Sequence, residues 1–329
     1  MAAQPRSTPR SHPAVRLAFR LLATVALAWI VLTAVFFLLH ALPGEPGAAF
    51  EDPRVPPRQR AQLREIYRLD RPLAVQYASW LGGVARGEWG YSFSRQRPVS
   101  AILGETLPPT LLLSSAALGV ELALGLGLGV FAAARAHRLS DHLIRAGSLL
   151  LWSVPAFWFG LLLFLLFAIR WPLFPAGGMT DLGPGTSAFG GLFGHLVLPA
   201  LALGVPAGAA TARFVRATLL DQLSEPYITA ARARGLSFRS LLWNHALRAG
   251  LGPILQVAGL SLAALLSGTL VVEVVFAWPG LGRATYEALV ARDYPLLLAG
   301  TTLSALTVLA GSLVVESVHA LVDPRVRDV

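Results

Sequence analysis

A chain of 329 residues that is 55% hydrophobic and 14% charged, with a mean hydropathy of +0.61, is too apolar for a water-soluble fold, and its apolar runs of about 20 residues match the length that crosses a bilayer. All 27 basic residues are arginine and there is no cysteine. That excludes a Walker A loop, whose lysine must reach the phosphates, and it excludes disulfides, thiolate metal sites and cysteine nucleophiles. The net charge of +9 would point to nucleic acid in a soluble protein; here the arginines crowd beside apolar runs, where membrane charge asymmetry accounts for them.

Residues 1–20 carry Arg6, Arg10, Arg16 and Arg20 ahead of the run "LLATVALAWIVLTAVFFLLHAL", predicted as a first transmembrane helix over 21–42. A signal peptide has a similar charged start, but its apolar region is only about 7–15 residues, and "PGEPG" follows here without a small-residue cleavage site. The run is therefore expected to stay as an uncleaved span. Residues 43–109 are expected to form an external (periplasmic) segment, in which the spacing of Leu63, Ile66 and Tyr67 predicts a short amphipathic helix. A five-helix core over 110–322 follows, with spans near 110–134, 147–169, 194–212, 254–277 and 295–322, then a tail over 323–329.

Within the core, Pro199 and Pro206 interrupt the fourth span, which is tolerated where neighbouring helices re-satisfy the freed carbonyls. The "GLGLG" at Gly125–Gly129 lacks the strand, the spacing and the lysine of a nucleotide loop; small residues that let helices approach closely are the better account. Trp152, Trp158, Trp171, Trp278 and Tyr294 sit near predicted span ends, as aromatic belts do.

Loop charge sets the predicted orientation. Arg135, Arg138 and Arg145 separate spans two and three, and Arg213, Arg216, Arg232, Arg234, Arg239 and Arg248 separate spans four and five, whereas Trp171–Leu192 has no arginine. Short arginine-rich loops stay cytoplasmic, so both termini are expected in the cytoplasm. The 43–109 segment holds nine arginines but is long and diluted by acidic residues, and long loops obey the charge rule weakly.

The stretch 213–248 contains "SEPYITAARARG". Ser224-Glu225-Pro226 reads as a helix start, with a capping hydroxyl, an acid and an early proline; Gly235 reads as its stop. Ala230, Ala231 and Ala233 make a small face that another protein could approach, flanked by Arg232, Arg234 and Arg239, and a second apolar helix is expected after Leu236. Three acids, Glu121, Glu273 and Glu316, fall inside the predicted spans, where an unpaired acid costs roughly 3 kcal/mol on insertion scales. Glu121 is expected in the bundle interior or on a path for a cationic or zwitterionic solute. Glu273 is expected near the outer face and wetted. Glu316 and His319, three apart on one helix face, read as a local pair.

Thr229-Ala230-Ala231-x-x-x-Gly235 followed by "HALR" resembles the EAA loop of ABC-importer permeases. Thr229 replaces the glutamate that names that motif and Arg248 stands where many members have proline; both departures are common in the peptide and nickel import branch. "LLHALPGEPG" (Leu38–Gly47), "YRLDRPLAVQYASWL" (Tyr67–Leu81), "GEWGYSF" (Gly87–Phe93), "SVPAFWFGLLLFLLFA" (Ser153–Ala168), "HLVLPALALG" (His195–Gly204), "VVEVVFAWPGLGR" (Val271–Arg283), "RDYPLLLAG" (Arg292–Gly300) and "DPRVR" (Asp323–Arg327) are similar to that branch in the same order. Glu316 stands where Asp is usual in that branch and His319 where Tyr is common, and Glu121 is no feature of it.

The resemblance implies an all-α polytopic protein of six transmembrane helices, a type I importer (MetI-like) bundle with a long external segment after the first span, in a bacterial inner membrane. It implies a non-enzymatic permease subunit that forms half of a translocation path for di- or oligopeptides, or alternatively for nickel, glutathione or another peptide-like solute. The expected partners are a second homologous permease, two cytoplasmic ATPases that carry ATP and Mg, and an extracytoplasmic binding protein; no cofactor, metal site or nucleic acid is expected for this chain. Thr229, Ala230, Ala231, Arg232, Arg234 and Gly235 are the expected ATPase-coupling residues, and Glu121, Glu273 and Phe276 the candidates for the path. An ion-coupled carrier using Glu121 or Glu316 is the alternative class, but such carriers are built from repeats, and none is evident here. A membrane scaffold without transport would need no such loop.

Overall fold

Glycines set how closely the central helices of this chain meet. In the computed structural model, which describes residues 13–41, 71–180 and 188–322, the helices are α1 (Pro13–His40), α2 (Leu73–Arg86), α3 (Val99–Ala134), α4 (Leu139–Ser153), α5 (Ala156–Arg170), α6 (Ala188–Ser224), α7 (Pro226–Ala233), α8 (Phe238–Val275), α9 (Leu281–Val290) and α10 (Tyr294–Val322). Among the described residues the strand pairing is an isolated bridge between Tyr91 and Pro98. Five helices are long and apolar enough to cross a membrane, six if α4 and α5, bent by 96° at their junction, make one span. The amphipathic helix expected around Leu63, Ile66 and Tyr67, the side chains of Glu316 and His319, and the tail 323–329 lie outside the described residues.

The centre of the bundle is the seam between α3 and α6. A Cβ at Gly125 or Gly129 of α3 would come within 2.6 Å of Thr211 or Val215 of α6. In return, a Cβ at Gly204 of α6 would come within 2.6 Å of the Ala117 carbonyl, and one at Gly208 within 3.0 Å of Leu124. Each helix thus presents glycines at i, i+4 spacing to the backbone of the other, the small-residue packing that brings helices together in lipid. Gly127, on the opposite face, meets nothing within 4 Å. Around the seam, α8 packs on α3, α6 and α10, while α1 touches mainly α10.

Several expectations need correcting. The third span is not one helix over 147–169: Val154 and Pro155 are extended and break it, because the residue before a proline is driven out of the α region. The second span belongs to a helix that begins at Val99, not near 110. Pro108 and Pro109 lie inside it, and the Pro109 carbonyl accepts the Trp278 indole N–H at 3.0 Å. The fourth span runs on to Ser224 through both prolines. Trp278 and Tyr294 are buried, so neither belongs to an aromatic belt; Trp152, Trp158 and Trp171 are about half exposed.

The corner between α9 and α10 is pinned by Asp293. Its carboxylate accepts the hydroxyls of Ser92 (2.5 Å) and Ser94 (2.7 Å) and the Ser94 N–H (2.9 Å). Its other oxygen takes the Leu296 N–H at 3.3 Å, capping α10. The turn around Tyr91–Pro98 is thereby fastened to the helical core.

Candidate coupling helix and buried carboxylates

Helix α7 forms because Pro226 occupies its first turn, where a missing N–H costs nothing. The residue preceding it is Glu225, extended and without a side-chain cap bond. The capping role expected for Ser224 is corrected: its hydroxyl instead donates back to the Asp221 carbonyl at 2.7 Å, within the last turn of α6. Tyr227 closes the α6–α7 corner by donating to Gln222 Oε1 at 3.0 Å, and burial, with the charge of Glu225, pushes its phenol above the usual range. At the other end, Gly235 has φ +85°, its N–H bonds to the Arg232 carbonyl (2.9 Å) and that of Leu236 to the Ala231 carbonyl (3.4 Å). This pair of bonds is a Schellman ending. A Cβ at Gly235 would meet nothing within 4 Å, so the position needs glycine for its backbone angle and not for space.

The helix sits on the bundle through a small apolar cluster of Ile228, Ala231 and Leu241, with Leu223 and Leu236 against it. Of the six expected coupling residues, Ala231 therefore points inward, while Thr229, Ala230, Arg232, Arg234 and Gly235 are exposed together. The face is rigidly based: behind it, Arg216 near the end of α6 grips Asp141 of α4 through two bonds of 2.6 Å. Asp141 is fully buried and the Arg216 side chain 14% exposed; the same carboxylate accepts the His137 N–H at 2.9 Å. This bidentate pair fixes the loop 135–138 to the helix that leads into α7. Sequence reasoning missed it, since the two residues are 75 apart.

The three candidates for the path are all enclosed by the chain's own helices. Glu121 is fully buried at the α3–α6 seam and accepts the Thr211 hydroxyl at 2.6 Å; its second oxygen has no partner among the described residues. Phe276 is 2% exposed and stands edge-on to Phe164, and its carbonyl accepts the Gly178 N–H at 3.0 Å.

Glu273 is not wetted, and that expectation is corrected: it is fully buried because α9 folds back over it. Its oxygens accept the Thr110 hydroxyl (2.7 Å) and the Arg283 N–H (2.9 Å), with Thr269 and the Gly282 N–H as further donors. A carboxylate at these N–H groups satisfies the orphan donors and the dipole of the α9 N-terminus. Thr110 in turn accepts the Leu281 N–H at 2.7 Å. A Cβ at Gly280 would land on the Glu273 carboxylate, and one at Gly282 would come within 2.6 Å of Leu270 Cα. The two glycines of "WPGLG" placed after an in-span acid were the sequence signal for this cap. Among the described residues no group of His, Asp and Glu could hold a metal ion.

Apolar helices of spanning length around a glycine seam, with Glu273 and Asp141 buried among donors and a short helix presenting arginines outward, define a multi-pass membrane protein. Residues 125–328 match the family profile described as binding-protein-dependent transport system inner membrane component, and residues 15–114 match its N-terminal companion. The oligopeptide transport system permease protein AppB of Bacillus subtilis (strain 168) is 36% identical over 293 residues, 89% of this chain and 92% of the relative. The dipeptide transport system permease protein DppB of Escherichia coli (strain K12) is 34% identical over 313 residues, again 89% and 92%. The structure of the MetNI methionine ABC transporter in inward-facing conformations aligns with a TM-score of 0.56 at 18% identity, covering 69% of this chain and 98% of that one, a likeness of fold. The chain belongs to the family of binding-protein-dependent transport system inner-membrane components.

Proposed function

We propose that this chain is one of two permease subunits of an ATP-driven importer for di- or oligopeptides, and that α7 is where a cytoplasmic ATPase grips it. The observation that carries the coupling role is the arrangement of α7. Its apolar side is seated on the bundle, its end is closed by a Schellman turn, and Thr229, Ala230, Arg232, Arg234 and Gly235 are presented outward together. A small, positively charged, rigidly based face suits docking against a larger acidic groove. The cargo reading is supported by relatives named as oligopeptide and dipeptide permeases.

In this reading ATP and Mg bind on the ATPases, a second homologous permease supplies the other half of the path, and an extracytoplasmic binding protein delivers the peptide. Both termini and α7 face the cytoplasm. Closure of the ATPases moves α7, and the Arg216–Asp141 grip passes that displacement from α6 to α4. Glu121, Glu273 and Phe276 serve the path by holding its walls: Glu121 at the α3–α6 seam, the other two at the α8–α9 corner.

The test is peptide uptake by the complex reconstituted with its ATPases. Gly235→Trp is expected to leave ATP hydrolysis running while uptake collapses, and unchanged uptake would overturn the docking role. Arg232→Glu is expected to lower recovery of the ATPases in pull-downs; equal recovery removes Arg232 from the contact. Uptake that runs on a proton gradient without ATP would replace the importer with an ion-coupled carrier.

A further inference from the structure

Helix α8 is wound in two ways. Phe238–Ser240 and Leu247–Val275 are α-helical, but Leu241–Ala246 between them winds as a wider π turn, closed by the Leu247 N–H on the Leu242 carbonyl, five residues back. A π turn holds one residue more than an α turn needs; it is rare, and it occurs mostly as a single turn set into an α-helix. The other one among the described residues, Leu165–Arg170, closes the end of α5. The turn in α8 lies inside a helix that continues on both sides.

The extra residue sits between two packed faces. Ala246, Gly250, Ile254 and Ala258 are buried at a constant four-residue step, with Ala246 and Ile254 in the cluster around Val215 and Leu219 of α6. Continued backward by the same step, the row reaches Leu242, in the same cluster, and then Phe238, which is 46% exposed. It is Leu241, five residues before Ala246, that is buried against Ile228 and Ala231 of α7. In an unbroken α-helix Leu241 would stand about 140° around the axis from Ala246, at about 100° per residue; the wider turn brings it back toward the bundle. One turn thus carries the seat of α7 and the start of the α8 row together. Its outer side is loosely held. Trp243 and Asn244 belong to neither cluster. The Ser240 carbonyl accepts from His245 Nδ1 and the Ser240 hydroxyl from Asn244 Nδ2, both at 3.3 Å, beyond the usual range of about 2.7–3.2 Å.

We infer that this π turn is a slip joint between α7 and the fifth span. When α7 is pushed, the turn rewinds as α-helix, and the chain before it turns by about 100° and moves by about 1.5 Å against the rest of α8, the geometry of one residue. Leu241 leaves its seat on α7 in that step, while Ala246, Gly250 and Ile254 keep theirs on α6. A movement of that size matches the shifts of about 1–2 Å by which packed helices switch between arrangements. It gives α7 a second route into the bundle beside the Arg216–Asp141 grip. The inference rests on the coupling role proposed for α7.

The test uses the full complex in nanodiscs, reconstituted with its ATPases. Deleting Asn244 removes the extra residue and leaves Leu241 and Ala246 four apart, so a regular α-helix keeps both seats. This variant is expected to recover the ATPases in pull-downs as the unmodified chain does and to hydrolyse ATP, while peptide uptake is lost. Because the chain has no cysteine, Phe238→Cys and Leu260→Cys, both at exposed positions, can carry spin labels on either side of the turn. Their separation is expected to shift by on the order of 2 Å between the nucleotide-free and the ATP–vanadate-trapped complex, and to stay fixed once Asn244 is deleted. Uptake by the deletion variant equal to that of the unmodified chain overturns the joint, as does a label shift that persists without Asn244. Should the deletion prevent assembly, the labelled pair decides alone, and a separation unchanged by trapping overturns the joint. Failure of the unmodified chain to recover the ATPases would remove the coupling role and the joint with it. Recovery with a fixed label separation removes the joint and leaves the coupling role standing.

Discussion

The α8–α9 corner and the α6–α7 corner are both sharp turns out of a long apolar helix into a short one, and they use charge in opposite ways. At the first, the carboxylate of Glu273 points inward, is fully buried, and is consumed by the N–H groups of α9 and the hydroxyl of Thr110. At the second, the buried groups are Ile228 and Ala231, and the arginines point out. A buried charge with all its donors supplied makes a joint that cannot bend without exposing unsatisfied groups. A joint held by a few apolar contacts keeps its shape while leaving its charges for another molecule. The two α corners thus separate a role in architecture from a role in contact, though both are ionisable residues next to a proline and glycines in the sequence.

That contrast can be broken by measurement. The largest losses should come from inward charges. Arg216→Ala strands the Asp141 carboxylate and is expected to cost about 3–5 kcal/mol, whereas Arg216→Met with Asp141→Leu should recover most of it, read by thermal unfolding in nanodiscs. Glu273→Ala leaves the α9 N–H groups and Thr110 without an acceptor and should cost about 3 kcal/mol or more, at about 1–3 kcal/mol for each buried donor left unmet. Gly129→Val overpacks the α3–α6 seam, for an expected loss of about 1–3 kcal/mol. Gly235→Ala, strained by its backbone angle but not by its surroundings, should cost about 1 kcal/mol. Ala230→Ser, on the exposed face of α7, should fall within about 0.5 kcal/mol of the unmodified chain. If Glu273→Ala and Ala230→Ser shift the unfolding midpoint equally, the distinction between the corners is wrong.

Much of the outline was legible beforehand because its causes are local. Apolar runs announce spans wherever water is absent. Pro226 and Gly235 mark the ends of α7, since a proline belongs in a first turn and a left-handed ending favours glycine. Gly125 and Gly129 were readable as a contact face because four-residue spacing puts both on one side of α3. Where sequence reading went astray, one cause was local, a residue driven out of the α region by the proline after it, and the other was a distant element. Val154 and Pro155 turned one expected span into a 96° bend, and the α9 fold-back turned a supposedly wetted Glu273 into a buried cap.

The residues of this chain settle by themselves that it is a helical membrane protein, where most spans lie, and which short helix carries the arginines, because hydropathy, helix-ending chemistry and small-residue spacing act over a few neighbours. Only the tertiary structure decides which ionisable groups are spent inside. Asp141 meets Arg216 across 75 residues and Ser92 meets Asp293 across 201, and a carboxylate shows no sign in its own segment of the donors that another helix will bring to it. Satisfaction of a buried charge is a property of the assembled bundle, since the partners exist only once the helices have packed.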